Sequence, residues 1–293
     1  MATRGSEAII PGSVPGPEIS PQRPFVLFHA LSFPSDSSVV QPMKKIKKKK
    51  SASQAVPAFL VGWTHGEPPP PGYIAAWFDE AYGGPLRIRF LASTGHHHFE
   101  AAHTNWMTEV NIEPSTEILE QWQGRLQWEQ TRLALLFPPS NTTTERRDAV
   151  LHVARMARGV TLLTDGTTYD VATGTYLNPS DWRDRDLEVF RITDHIQVEH
   201  RENVQRACMW FHTRGMTKFG LEEIETFQPM GLSGREVKDT VLRIAGHLIE
   251  EGKNPKVGER IVLEESGPQV MVVRHRTDPI YGTPLAFREF TLG

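Results

Sequence analysis

The chain has 293 residues, a length that allows one large domain or two of ordinary size. A hydrophobic fraction of 39% and a charged fraction of 23% are typical of globular proteins, and the formal net charge of -3 excludes a strong overall attraction to nucleic acid or to an anionic membrane. The single cysteine, Cys208, excludes an intramolecular disulfide and a zinc cage made of cysteines, and it fits a reducing cytoplasm. The apolar runs are far shorter than the ~20 residues that a membrane-spanning helix needs.

Residues 1–55 are predicted to be a disordered tail. Pro, Ser and Gly dominate this segment, and it has too few apolar side chains to offset the entropy lost on ordering. Met43 directly precedes a lysine-rich run, residues 44–50, so a natural start at Met43 would leave the preceding residues outside the protein. We interpret the lysine run as a solvated tail, and a patch that binds nucleic acid or a membrane is the alternative.

From Val56 to Pro139 the hydrophobic pattern predicts strands and helices in the order strand, helix, strand, strand, helix, strand. This order matches the split βαβ, or ferredoxin-like, arrangement. The predicted strands are 58–63, 86–91, 106–112 and 132–137, and the predicted helices follow Pro71 and Ser115.

A helix with a capping box at Thr142 and Glu145 is predicted next, ending at Gly159. Two strands, 160–163 and 168–171, are then expected to form a hairpin around the turn dipeptide Asp165-Gly166.

The polar segment 179–190 is interpreted as a domain boundary. Beyond it, the best helix signal of the chain runs from Ser233 to Glu251, with a capping box at Ser233 and Glu236. Short strands are predicted at 189–192, 196–198, 207–211, 260–263, 270–273 and 286–291. The predicted class is therefore α+β, with a tail (1–55), a ferredoxin-like domain (56–178) and a second α+β domain (179–293).

Histidines are concentrated in residues 96–103. On a strand, His96, His98 and Glu100 would share a face, and with His103 nearby they could hold a divalent metal with one open position. The alternative is a polar loop between two strands, and no cofactor is predicted.

A second polar alternation, residues 193–200, predicts that His195 and Glu199 face outward. Pairing of either residue with His212 on a neighbouring strand would favour a site there.

The stretch 208–220 begins as an apolar strand, expected to end at Phe211, and becomes polar at His212. As a site, His212 would act as acid or base, Arg214 and Lys218 would bind an anion, and backbone amides around Gly215 and Gly220 would cradle it. The alternative interpretation is purely structural: the same residues form a tight turn, and their polar groups donate hydrogen bonds to the carbonyls of that turn.

The run 212–225 resembles a His-Thr-x-Gly-Leu/Met-x-x-Phe-Gly pattern followed by an acidic stretch, which is found in uncharacterised bacterial domain-of-unknown-function proteins. The segment 168–174 resembles a second shared piece, and the likeness extends in pieces from about residue 130 to 265. This resemblance implies an accessory or immunity-type role and supplies no catalytic residues.

Phosphate-binding loops, nucleophile elbows and the His-Glu-x-x-His motif are absent from the sequence. We therefore expect a non-enzymatic, cytosolic bacterial protein that binds a protein partner. The alternative is an enzyme or anion-binding module that uses His212, Arg214 and Lys218.

Overall fold

An antiparallel sheet is built from the first part of the described chain. The computed structural model describes residues 56–91, 97–114, 132–137, 146–263, 269–280 and 283–292, all within a compact unit that begins at Ala52. The strands of this first sheet lie in the order β2-β3-β4-β5-β1-β6-β7. Their bounds are β1 (Phe59–Trp63), β2 (Arg87–Phe90), β3 (His98–His103), β4 (Trp106–Pro114), β5 (Arg132–Phe137), β6 (Thr167–Asp170) and β7 (Thr175–Leu177).

The α+β class is confirmed, but the strand order of this sheet differs from the split βαβ arrangement. In that arrangement the first strand would lie beside the third predicted strand, which is β4. Instead β1 lies between β5 and β6 and is antiparallel to both. Every residue of β1 is buried, as expected for a central strand. The strand β3, which forms a hairpin with β4, was not among the predicted strands, because its histidines and glutamate gave no apolar run.

Two helices, α1 (Pro71–Tyr82) and α2 (Arg146–Thr164), pack against the first sheet and share its hydrophobic core. The prediction that α2 ends at Gly159 and that 160–163 form a strand is wrong. Val160 continues the buried stripe of the helix, and Gly159 lies where the ring of Trp77 packs, 2.7 Å from an added Cβ. Glycine at this point therefore allows the close packing of the two helices. The predicted turn at Asp165, with φ +50°, is present, but it joins a helix to β6 instead of joining two strands.

The second sheet follows a connection that contains α3 (Pro179–Arg183) and a 3-10 helix (Ile192–Asp194). The strand predicted at 189–192 is therefore absent from this described segment. Its strands lie in the order β11-β12-β13-β10-β9-β8, and only β10 and β13 are parallel. Their bounds are β8 (Gln197–Asn203), β9 (Cys208–Arg214), β10 (Glu223–Phe227), β11 (Arg260–Val262), β12 (Gln269–Ile280) and β13 (Thr283–Leu292).

The helix α4 (Gly234–Glu251) covers one face of this sheet. The predicted capping box is present: the hydroxyl of Ser233 accepts the N–H of Glu236, whose carboxylate accepts the N–H of Ser233. The predicted apolar stripe is buried against β8, β9 and β10. Its residues are Val237, Val241, Ile244, Ala245 and Leu248.

Several predictions lie outside the described residues, among them the tail, the lysine run, the helix after Ser115 and the capping box at Thr142. Within the part that is described, no helix has the length and apolar character needed to cross a membrane. The predicted domain boundary at 178/179 falls between the two sheets and remains a prediction.

Candidate functional site

The stretch 208–220 consists of β9 and a 3-10 helix. β9 continues to Arg214, beyond the predicted end of the strand. A 3-10 helix, Met216–Phe219, follows it, and the glycines on its two sides have left-handed φ angles, +118° at Gly215 and +67° at Gly220. The predicted turn therefore exists, with glycine at the two positions where the backbone needs it.

Both glycines are also close to neighbouring groups. A Cβ at Gly215 would lie 2.4 Å from the carbonyl oxygen of His195. A Cβ at Gly220 would lie 2.7 Å from a guanidinium nitrogen of Arg146, and that guanidinium donates a 2.6 Å hydrogen bond to the carbonyl of Phe219. The backbone of the turn is thus held from both sides.

The carboxylate of Glu223 lies among the backbone amides of this turn. It accepts the N–H of Gly215 at 2.9 Å and the hydroxyl of Thr213 at 2.7 Å. Longer bonds come from the N–H groups of Met216 at 3.3 Å and Thr217 at 3.4 Å. Burial raises the pKa of Glu223, and these donors oppose that shift. The anion cradle expected from the sequence is therefore filled by a carboxylate of the protein itself.

Lys218 is also paired internally. Its ammonium lies 2.7 Å from Oδ2 of Asp170 on β6, and the side chains of the pair are only 2% and 3% exposed. The other oxygen of Asp170 accepts the N–H groups of Ala172 and Thr173 at 3.1 and 3.2 Å. This buried ion pair connects the turn of the second sheet to a strand of the first.

His212 and Arg214 share Glu199 on the neighbouring strand. Glu199 is paired with His212 in the register of β8 and β9, which is the arrangement that would favour a site here. One carboxylate oxygen lies 3.6 Å from Nε2 of His212 and the other 3.6 Å from a guanidinium nitrogen of Arg214. Burial lowers the pKa of His212, while the carbonyl of Thr213 and the charge of Glu199 act to raise it. His212 packs on the ring of Trp210 at 4.3 Å between centroids.

The three predicted site residues therefore divide between two carboxylates: His212 and Arg214 share Glu199, whereas Lys218 pairs with Asp170. His212 and Arg214 lie on the sheet face away from α4, while Lys218 reaches across to Asp170. His195, predicted to face outward, is 1% exposed and stacks on Phe190, because the chain enters β8 only after it.

The predicted metal residues are distributed over both faces of β3. His98 and Glu100 share a face as expected, but His98 contacts Glu109 at 2.7 Å and Glu100 is bound by Arg89. His103 lies on the opposite face and packs on Phe78. His96 lies outside the described residues, and within them no group of three or more His, Cys, Asp or Glu side chains is arranged to hold a metal ion.

The face of the second sheet away from α4 carries arginines over aromatic rings. The guanidinium of Arg201 lies 4.3 Å from the ring centroid of Trp210, and that of Arg206 lies 3.8 Å from Phe227. Arg276 lies over both Trp210 and Phe287, at 5.4 and 5.3 Å. We call this surface, with Arg274 beside it, the arginine face.

Carboxylates lie beneath these arginines. Glu225, fully buried, accepts the indole N–H of Trp210 at 2.8 Å and the Nε–H of Arg276 at 2.7 Å, and its hydrogen bonds to Arg276 raise the pKa of that guanidinium. Glu289, 9% exposed, pairs with Arg206 at 2.9 Å and with Arg274 at 2.7 Å. Glu225 and Glu289 are therefore buried beneath the arginines, while a third carboxylate, Asp278, contacts Arg276 at the surface with its side chain 38% exposed.

Sequence reasoning missed this surface. The predicted strand 270–273 stops just before Arg274 and Arg276, whereas β12 continues to Ile280. The alternation of Arg274, Arg276 and Asp278 was the signal that could have extended the strand and placed the three side chains on one face.

Comparison with known proteins gives one match. A family model described as protein of unknown function (DUF4026) C-terminal matches residues 196–287, which span β8 to the middle of β13 and include α4. No curated protein matches, and no solved structure matches. The likeness to a domain of unknown function is thus confirmed for the second sheet, while the specific motif and the bacterial origin remain predictions.

Proposed function

We propose that this protein has a binding role without catalysis, and that it contacts an acidic segment of a protein partner through the arginine face. The observation that carries this proposal is the arrangement of Arg201, Arg206 and Arg276 over the rings of Trp210 and Phe227. Arginine and aromatic residues are enriched in protein–protein interfaces and in their energetic hot spots.

The charge distribution favours an acidic partner. Arg201 contacts the ring of Trp210 and forms no ion pair with a described carboxylate, Arg206 and Arg274 share the single carboxylate of Glu289, and Arg276 is paired with Glu225 and Asp278. The guanidinium groups retain N–H donors at their edges, which match carboxylates in planar, two-bond geometry. The small apolar cluster beneath them, around Trp210 and Phe287, consists of strand residues alone.

The absence of catalysis is supported by the internal pairing of the predicted site. Glu223 occupies the amide cradle, and Asp170 neutralises Lys218 at 2.7 Å. The alternative, an enzyme or anion-binding module built on His212, Arg214 and Lys218, would require an anion to displace carboxylates that these cations already contact. The single cysteine and the sequence resemblance favour a bacterial cytoplasm as the location.

The proposal is tested by isolating partners from cell extract with three forms of the full chain. These are the natural protein, Arg201→Glu/Arg206→Glu, and the control Arg235→Glu, whose side chain is 92% exposed on α4. We expect one or more proteins to be retained by the natural protein and the control and lost from the double variant. A decaglutamate peptide should compete with them. Identical retention by all three forms, or no effect of the peptide, would contradict the proposal.

A further inference from the structure

The strand β8 forms an edge of the second sheet, and β9 is the only described strand that pairs with it. Its seven residues, Gln197–Asn203, follow one continuous register with β9, and they include no proline or lysine. The other sheet edges are shorter, with four residues in β2 and three each in β7 and β11. A long, regular edge is a template on which another strand can pair, unless its side chains prevent it.

The backbone of this edge is open to pairing. Within the described residues, no backbone hydrogen bond apart from those to β9 involves residues 197–202. The residues in the middle of the strand, His200, Arg201 and Glu202, are exposed. Alternate N–H and C=O groups of β8 therefore point outward, where water or another strand must satisfy them.

The charges of β8 favour one occupant of this edge, a second copy of β8. Glu199 and Arg201 lie on the same face, opposite His212 and Trp210 of β9. When two copies of β8 pair antiparallel about a two-fold axis at His200, Glu199 of each copy lies opposite Arg201 of the other. Opposite residues in such a pair have Cβ atoms about 4.5–5.5 Å apart, so their charged groups are within reach of each other. An axis at Glu199 or at Arg201 would instead oppose two like charges, so the charges favour the register centred on His200.

Both charged groups can form these pairs without losing a hydrogen bond. The carboxylate of Glu199 is 29% exposed, and its contacts to His212 and Arg214 are long, at 3.6 Å each. The guanidinium of Arg201 contacts the ring of Trp210 and forms no ion pair with a described carboxylate. An ion pair across the edge therefore adds a charge-assisted partner to each group.

We propose that two copies of this chain associate through β8, so that two six-stranded sheets become one continuous sheet with a two-fold axis at His200. The pair of Glu199 and Arg201 is formed twice by symmetry. On the α4 side, each His200 stays stacked on Phe211 of its own chain, with 5.4 Å between ring centroids. The association does not rest on the proposed function, because it needs no further partner. The arginine faces of the two copies lie on the same side of the joined sheet.

The test is sedimentation of the purified full chain at about 100 μM, a concentration at which a dimer with a micromolar Kd is largely formed. We expect a mass of twice the 33.0 kDa of one chain. A dilution series gives the Kd of each variant. Arg201→Glu and Glu199→Arg should each weaken the dimer about tenfold or more, because each replaces two opposite-charge pairs by two like-charge pairs. A mixture of these two variants should restore the dimer, since glutamate then faces arginine at both positions. Arg235→Glu, on α4, is the matched control and should associate like the natural protein.

A cysteine at the axis tests the register without changing these charges. In a chain that carries Cys208→Ala, the further substitution His200→Cys places two thiols opposite each other, and mild oxidation should give a disulfide-linked dimer. Glu202→Cys in the same chain is the control, because residue 202 lies opposite Val198 of the second copy and away from its own equivalent. The proposal is overturned by a monomeric natural protein, by charge variants that associate as well as the natural protein, by a mixture that associates no better than either variant alone, or by equal cross-linking at positions 200 and 202.

Discussion

The backbone N–H of Gly215 and the buried carboxylate of Glu223 are joined by a 2.9 Å hydrogen bond, at the centre of the turn that follows β9. Because Thr213 and two further amides point at the same carboxylate, Glu223 performs the role that a bound anion would have in an open nest. The turn is therefore organised from within the chain, and its conformation depends on this acceptor.

Replacing Glu223 by glutamine should destabilise the protein. The amide keeps one acceptor oxygen but directs its NH₂ group at backbone N–H donors, so at least one buried donor is left without a partner. We expect the free energy of unfolding to fall by about 1.5–3 kcal/mol, measured by urea denaturation. The exposed Glu202→Gln on β8 is the control and should change it by about 0.5 kcal/mol or less. Equal stability of the two variants would contradict a structural role for this carboxylate.

The ion pair of Lys218 and Asp170 should be strongly coupled, because both side chains are almost completely buried. Lys218→Met leaves a charged carboxylate in the core and is expected to cost about 3–5 kcal/mol. The double variant Lys218→Met/Asp170→Asn should be more stable than the sum of the two single effects predicts. The coupling is measured by a double-mutant cycle of urea unfolding.

The control for this pair is Lys253→Met, since Lys253 and Glu251 form an ion pair whose side chains are 64% and 46% exposed. Its loss should have an effect of about 1 kcal/mol or less. Strict additivity in the cycle for Lys218 and Asp170 would show that the two residues stabilise the fold independently.

Glycines in two helices should respond to alanine in opposite ways. A Cβ at Gly159 in α2 would lie 2.7 Å from the ring of Trp77, whereas the nearest atom to a Cβ at Gly246 in α4 is 3.8 Å away, on Ile192. Gly246→Ala should stabilise the protein by about 0.5–1 kcal/mol through helix propensity. Gly159→Ala should destabilise it by about 1–3 kcal/mol, because the ring must move. Thermal unfolding measures the change in stability of each variant. Stabilisation by both substitutions would show that the ring of Trp77 moves aside at little cost in free energy.

Local signals predicted the local elements of this fold well. The capping box at Ser233 and the periodic stripe from Val237 placed α4 correctly, because caps and periodicity act within a few residues. The glycine at 159 was misleading, since a helix stop and a close helix contact use the same residue for different reasons. The neighbour of Gly159, Trp77, is remote in sequence, and only tertiary structure brings the two together.

In the candidate site, too, the local geometry could be predicted from the sequence and the long-range contacts could not. The sequence indicated that Gly215 and Gly220 bracket a turn with amides suited to an anion, and this is the geometry found. It did not indicate that Glu223 would supply the anion, or that Asp170 on another sheet would pair with Lys218. Such pairings depend on strand register and on sheet packing, and neither is encoded by short-range patterns.

His195 should make the stability of the protein sensitive to acid. It lies ring to ring on Phe190 and edge to face with Phe219, and neither ring nitrogen has a hydrogen-bond partner within the described ranges. Burial lowers the pKa of His195 well below its ordinary value of 6.5, and the charges of Lys218 and Arg185 act in the same direction.

The unfolded chain therefore binds a proton near pH 6.5 that the folded protein does not, so stability falls as the pH drops below that value. The substitution His195→Phe keeps an aromatic ring at this position and removes the titratable group. At pH 7 this variant should be as stable as the natural protein or more so, because two unpaired buried nitrogens are removed. Between pH 7 and pH 5 the free energy of unfolding of this variant should fall by about 2 kcal/mol less than that of the natural protein. One proton taken up only by the unfolded chain lowers that free energy by about 1.4 kcal/mol per pH unit. Urea unfolding across this pH range measures the difference, and His152 titrates in both proteins. Parallel curves would show that His195 takes up a proton as readily in the folded protein as in the unfolded chain.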